Sequence, residues 1–150
     1  MTQPLYNILD VVPHSGTMSL LDTLINYDNE SLSAQLTITE HSCFAQTDGV
    51  PAWIGIEYMA QAVAAHAGVL ALNKRGDVSI GLLVGTRRYS CNQACFPFGL
   101  IINVTVYREL LGDNGLGTYR CEIVADGIEA TANLNVFQPD DIDQYLNNKK

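Results

Sequence analysis

The segment from Val50 to Leu72 constrains this chain more than any other stretch. It is apolar for long enough to cross a bilayer as a helix. Yet it carries Glu57, Gln61 and His66 in its interior, each expensive in hydrocarbon. A buried helix of a soluble protein, with no membrane span, is the better reading. Pro51 suits the first helical position, where a missing N–H costs nothing. The pattern runs to about Leu72 and stops at Asn73, with Lys74 and Arg75 placed beside the negative end of the dipole. Apart from Gln61 and His66, the residues from Ala60 to Ala71 are small or apolar on every side. Such a helix has to be enclosed.

Strands on both sides of it can supply the enclosure. Leu5, Ile8, Leu9 and Val12 follow helical spacing, so Pro4 to Met18 is expected to hold a brief helix over one end of the core. Leu20 to Tyr27 reads as a strand and Asp28 to Ser31 as a turn. Ser33 to Thr39 alternates Ala34, Leu36 and Ile38 against Ser33, Gln35 and Thr37, the pattern of a half-buried strand paired with the one before. After the helix come four β-type runs, Val78 to Cys91, Leu100 to Leu111, Thr118 to Asp126 and Ile128 to Phe137. Asp113-Asn114-Gly115 and Asp126-Gly127 mark hairpins. The expectation is an α+β domain spanning residues 1–150, an antiparallel sheet of about six strands around one long central helix. Its last four strands are expected to follow one another as a meander.

Composition narrows the function classes. At 47% hydrophobic, 150 residues build a core without disulfides or metal. Only 16% of residues are charged, against about 25% for an average soluble chain. Some surface is therefore expected to be covered by a partner, in a homodimer or a larger even-numbered assembly. Sixteen acidic against eight basic residues give a net charge of −8. No basic excess exists to displace counterions from phosphates, so nucleic acid is not a partner. Residues 1–20 hold Asp10 but no Lys or Arg, so the basic start of a secretory signal is missing. Cys43, Cys91, Cys95 and Cys121 form no CxxC pair, and no histidine lies near Cys91 and Cys95. They read as reduced, mostly buried thiols of a cytoplasmic protein, with no metal site.

Two features point to chemistry. Glu57 lies two turns into the helix among Trp53, Ile54, Ile56, Tyr58 and Met59. It either faces solvent at a helix edge or sits in an apolar pocket, where desolvation would let it donate a proton near neutral pH. Gln61, one turn on, can bond to it or to a ligand. His14, between Pro13 and Gly16, is held in an otherwise plain loop, and His41 stands just ahead of the helix. Each is a candidate base or a surface histidine; His66 reads as core.

The order Pro13-His14-Ser15-Gly16-Thr17-Met18-Ser19-Leu20-Leu21-Asp22 resembles the PHRxPMLLLD opening of hot-dog-fold 3-hydroxyacyl-acyl carrier protein dehydratases. Gly49 to Ala62 resembles their PGVLxxEAMAQA helix, and Pro51, Trp53, Glu57, Met59, Ala60 and Gln61 fit the PxWxxxELMAQ form. That form is found in the dehydratases associated with aryl polyene biosynthesis. The Pro97-Phe98-Gly99 break and the Ala125-Asp126-Gly127 hairpin fall in the family's order. The resemblance covers about Pro4 to Pro139. One departure stands out: the family's catalytic histidine comes from a GHFPG loop, and an ungapped count from Glu57 puts Cys43 in its place. His14 then becomes the preferred base, with His41 as the alternative.

The resemblance implies a sheet wrapped around a helix, subunits paired edge to edge, and active sites at that interface with histidine and acid from different subunits. It implies dehydration of a 3-hydroxyacyl thioester on acyl carrier protein to the trans-2-enoyl thioester, without a cofactor. His14 would take the C2 proton and Glu57 would protonate the departing hydroxyl. Backbone N–H groups around Val50, Ala52 and Trp53 would polarise the thioester carbonyl. An acyl thioesterase and a non-catalytic partner subunit of a related dehydratase are the alternatives. Because carrier proteins of this kind are acidic, docking needs a local positive patch on this acidic chain. Lys74 or Arg75, with one of Arg87 or Arg88, is expected to form it; strand alternation would turn only one of that arginine pair outward.

Overall fold

The structure, a computed structural model, describes residues 7–8, 20–73, 82–111 and 116–137. The strands are β1 (Thr23–Tyr27), β2 (Ser31–Thr37), β3 (Gly49–Pro51), β4 (Leu82–Cys91), β5 (Cys95–Pro97), β6 (Ile101–Leu111), β7 (Leu116–Ala125) and β8 (Ile128–Phe137). One 3-10 turn, Ala52–Ile54, leads into the helix α1 (Gly55–Asn73). Six strands form an antiparallel sheet in the order β1-β2-β6-β7-β8-β4, and β3 and β5 form a separate pair.

Alternation sets the inner face of the sheet. Leu32, Ala34 and Leu36 of β2 are buried, as is Ile38 beyond it. The same period gives Ile102, Val104 and Val106 on β6, then Tyr119, Cys121 and Ile123 on β7. On β8 it gives Ile128, Ala130, Ala132 and Leu134. Against this face α1 presses Tyr58, Met59, Ala62, Val63, Ala65 and Val69. Full burial of each larger apolar side chain contributes roughly 1.5–3 kcal/mol. A sheet wrapped around one central helix is the hot-dog fold that the sequence led us to expect. Asp126-Gly127 closes the β7–β8 hairpin with Ala125 opposite Ile128, and Gly127 adopts φ 72°, open to glycine at no steric cost.

Several expectations are corrected. The last four strands are not one meander: β6, β7 and β8 are, but β4 crosses to the far side of β8 and forms an edge. A long connection placed between elements leaves hydrophobic pattern unable to say which edge a strand joins. The helix does not begin at Pro51, which belongs to β3 and pairs with Cys95 of β5; the α-helical turns start at Gly55. Along β4, Arg87 pairs with Asn133 and Ser90 with Thr131, so Arg88 and Tyr89 together face one residue of β8. This bulge, with Arg88 at φ 58°, breaks the alternation, and both Arg87 and Arg88 are exposed. Of the four thiols only Cys121 is buried; Cys43, Cys91 and Cys95 are half-buried. Among the described residues, no helix is long and apolar enough to cross a membrane.

Candidate active site

The residues singled out by sequence fall on the loop before α1, the start of α1, and the bulged strand β4. The loop is held by its own short-range bonds. Ser42 N–H donates to Thr39 O (3.0 Å), Ala45 N–H to Ser42 O (3.1 Å) and Gln46 N–H to Gly49 O (2.7 Å). Thr39 N–H is taken by Ser42 Oγ at 2.9 Å. Phe44 follows with φ 70°, an uncommon conformation for an aromatic residue. Its ring meets Trp53 at 6.5 Å between centroids, so an exposed aromatic pair bridges the loop and the helix start. Gly49 passes so near Phe96 that an added Cβ would lie 2.2 Å from its carbonyl oxygen.

Glu57 is exposed; of the two settings left open for it, the described residues of this chain give the helix edge. It stands on a stripe that starts at Trp53 in the 3-10 turn and continues along α1 through Ile56, Ala60, Ala64 and Ala67, all at least partly open and none of them polar. Helical spacing of three and four residues puts them on one face. Trp53 is 63% exposed, an unusual setting for a side chain of that area. The helix that sequence reads as apolar all round is thus enclosed on most sides, while one face lacks cover from this chain.

Gln61 is buried, and its side-chain oxygen accepts the N–H of Leu20 at 2.8 Å. That bond ties the end of the opening motif to the helix one turn beyond Glu57. Of the backbone donors expected to polarise a carbonyl, Ala52 N–H already donates to Ala94 O at 3.0 Å. Val50 is fully buried in register with Phe96, and the hydroxyl of Tyr89 donates to Ala52 O. The fold uses these groups, so the oxyanion role expected of Val50 and Ala52 is set aside. His14, Lys74 and Arg75 lie outside the described residues.

His41 is open to solvent, 88% exposed at its side chain, with Nε2 3.4 Å from the Glu40 carboxylate. It stands at a cavity of about 500 Å³, whose described lining includes Asp22, Leu36, Thr37, Cys43 and Tyr58. The cavity therefore gathers His41, the alternative base, and Cys43, which stands where the family's histidine belongs, but Glu57 is not among its described walls. Burial, and to a lesser degree Cys43, Tyr89 and Asp22, pushes Tyr58 far above the usual phenol range, so its hydroxyl keeps its proton. Sequence reading passed over Tyr58 and Asp22. The signal was present: a tyrosine spaced with Ala62 and Ala65 faces the core, and its hydroxyl has to meet a polar partner there.

His66 is core, as expected. It is fully buried; its Nδ1 accepts from the Tyr119 hydroxyl at 2.8 Å, and its Nε2–H donates to Asp28 O at 3.0 Å. Burial holds it below the usual imidazole range and pushes Tyr119 up to about 12. Among the described residues no His, Cys, Asp and Glu cluster could hold a metal ion.

Three comparisons place the chain among known proteins. No curated protein matches it in sequence. Its structure superposes on the dehydratase heterocomplex ApeI:P from Xenorhabdus doucetiae with a TM-score of 0.87 and 28% identity, covering 98% of this chain and 100% of that one. The E. coli PaaI protein of the phenylacetic acid degradation operon is similar in fold, with TM-score 0.59, 14% identity and 77% and 81% coverage. A hypothetical thioesterase with coenzyme A from Streptococcus pneumoniae gives 0.57, at 8% identity, over 77% and 85%. These last two share the fold alone. The family model described as ApeP dehydratase matches residues 6–147, and the chain belongs to this ApeP-like family of dehydratases.

Proposed function

We propose that the chain is one subunit of a two-component dehydratase. Its substrate is a 3-hydroxyacyl thioester on acyl carrier protein, of the kind used in aryl polyene synthesis, and its product is the trans-2-enoyl thioester. Family membership and the likeness to a dehydratase heterocomplex support this reading. The observation that carries it is Glu57, an exposed carboxyl group in the middle of an otherwise apolar stripe beginning at Trp53. A partner that covered the stripe would exclude water from the acid and complete a site that one chain leaves open. Among the described strands β4 is an edge of the sheet, and it gives such a partner a strand to pair with.

In the reaction a histidine takes the C2 proton while Glu57 gives its proton to the C3 hydroxyl. The C3–O bond breaks, water leaves, and the electron pair of the C2–H bond becomes the new double bond. The histidine is His14 or His41 of this chain, or a residue of the related subunit. A supporting role is favoured by one observation, the thiol of Cys43 at the position where the resemblance puts the base. The proposal is tested by incubating 3-hydroxyacyl carrier protein with the chain, with a related dehydratase, and with both, followed by intact-protein mass spectrometry. Loss of one water with the pair supports it. Loss of the whole acyl chain would make the protein a thioesterase, and an unchanged mass in every arm would remove the dehydratase reading.

A further inference from the structure

The cavity beside the base position contains a group that the proposed reaction does not use. Tyr58 is 1% exposed, and its ring packs on Phe96 at 6.0 Å. Its hydroxyl forms no hydrogen bond among the described residues, yet Tyr58 is a wall of the cavity. Buried hydroxyls are almost always paired, because an unmade bond forfeits the water it displaced. Asp22 lines the same space and uses Oδ2 on the Thr37 N–H at 2.9 Å, with a second oxygen to offer. Leu20 and Leu36 supply apolar wall, and neither Lys nor Arg is among the described lining. Among the described lining an anion would meet the Asp22 carboxylate, with no Lys or Arg to offset it. A hydroxyl group suits the pair, since it accepts from one partner and donates to the other.

We propose that this cavity is a second binding place for substrate, taking an uncharged, hydroxyl-bearing acyl group whose oxygen accepts from Tyr58 and whose proton goes to Asp22. The inference rests on the reading that the chain handles acyl thioesters, and adds to it a specificity residue besides Glu57. Cys43 reports on occupancy, because it lines the cavity and is half-buried, whereas Cys91 and Cys95 are half-buried thiols outside the described lining.

The test is iodoacetamide labelling of the purified chain, read by peptide mass spectrometry. The probes are 3-hydroxyhexanoyl and hexanoyl pantetheine analogues with an amide in place of the thioester, so that Cys43 cannot capture the chain. The hydroxylated probe should slow Cys43 labelling at a concentration about three- to tenfold lower than the plain one, the range of one neutral hydrogen bond. Labelling of Cys91 and Cys95 should not change. Tyr58→Phe should erase the difference between probes and melt no lower than the parent, since no bond is lost. Equal protection by both probes, no protection at all, or protection unchanged in Tyr58→Phe overturns the proposal. A clear drop in the melting temperature of Tyr58→Phe also overturns it, because the hydroxyl would then be structural. Neither probe can be turned over, so the labelling result stands even for a chain that never dehydrates anything.

Discussion

Replacing His66 by leucine should cost more than its size suggests. The side chain fills a fully buried space, and its two ring nitrogens bridge Tyr119 on β7 and the Asp28 carbonyl in the β1–β2 turn. Leucine keeps much of the volume and neither bond. Two neutral hydrogen bonds contribute about 0.5–1.5 kcal/mol each, and an orphaned buried partner adds about 1–3 kcal/mol. Asp28 is exposed, so water can reach its carbonyl; Tyr119 is 4% exposed, so its hydroxyl is left stranded. The sum is about 2–6 kcal/mol. Adding Tyr119→Phe removes the stranded hydroxyl, so the double variant should recover about 1 kcal/mol of what the separate losses would total.

The pH dependence has a fixed sign. Burial lowers the His66 pKa in the folded chain below its unfolded value of 6.5, so the unfolded chain takes up the proton first. The stability contributed by a neutral His66 is therefore complete above about pH 6.5 and is lost as pH falls. Urea unfolding at pH 7.5 and 5.5 reads both effects, and the gap between parent and His66→Leu should narrow at the lower pH. A gap below about 1 kcal/mol at pH 7.5, or one that does not narrow, would refute the bridge.

Three further outcomes are expected. Gly55→Ala should lower stability by about 1–3 kcal/mol in thermal unfolding, because the new Cβ would lie 2.3 Å from the Tyr89 hydroxyl and 3.1 Å from Ile123; an unchanged melting temperature contradicts it. Trp53→Arg should leave the chain folded by circular dichroism but weaken association with its partner about 30-fold or more, the scale of an interface hot spot, in sedimentation; unchanged association would take Trp53 out of the interface. Arg87→Glu combined with Lys74→Glu should raise KM for carrier-bound substrate and reduce its salt dependence, with a small thioester mimic unaffected. Equal loss on both substrates would place these residues in the fold instead of a docking patch.

What could be read from sequence followed local periodicity. The β2 alternation, the Asp126-Gly127 hairpin and the central helix all depend on neighbours in the chain, and each is present, although β2 runs from Ser31 to Thr37 and the helix starts at Gly55. The place of β4 depends on a crossover between distant elements, which no local pattern encodes. Arg88 and Phe44 sit at positive φ, although neither residue type advertises that conformation. For Glu57 the sequence left an exposed helix edge and an apolar pocket both open, and the exposed edge is found. Its apolar neighbours on the same face read as core, whereas here they are an open stripe. Cys43, which an ungapped count puts at the family's base position, and His41, the alternative base, line one cavity. Tyr58 was missed because its ring satisfies the hydrophobic pattern and only its hydroxyl does not.

The central claim is that this chain supplies the acid of the dehydration. Single-turnover rates with 3-hydroxyacyl carrier protein, measured for the subunit pair with parent chain and with Glu57→Gln, test it most directly. The substitution keeps the shape and hydrogen-bonding reach of an exposed side chain but removes its transferable proton. Water loss should slow by about 10²- to 10⁴-fold, with assembly and melting temperature unchanged. A Glu57→Gln pair that turns over at the parent rate would contradict the claim and leave this chain a supporting subunit.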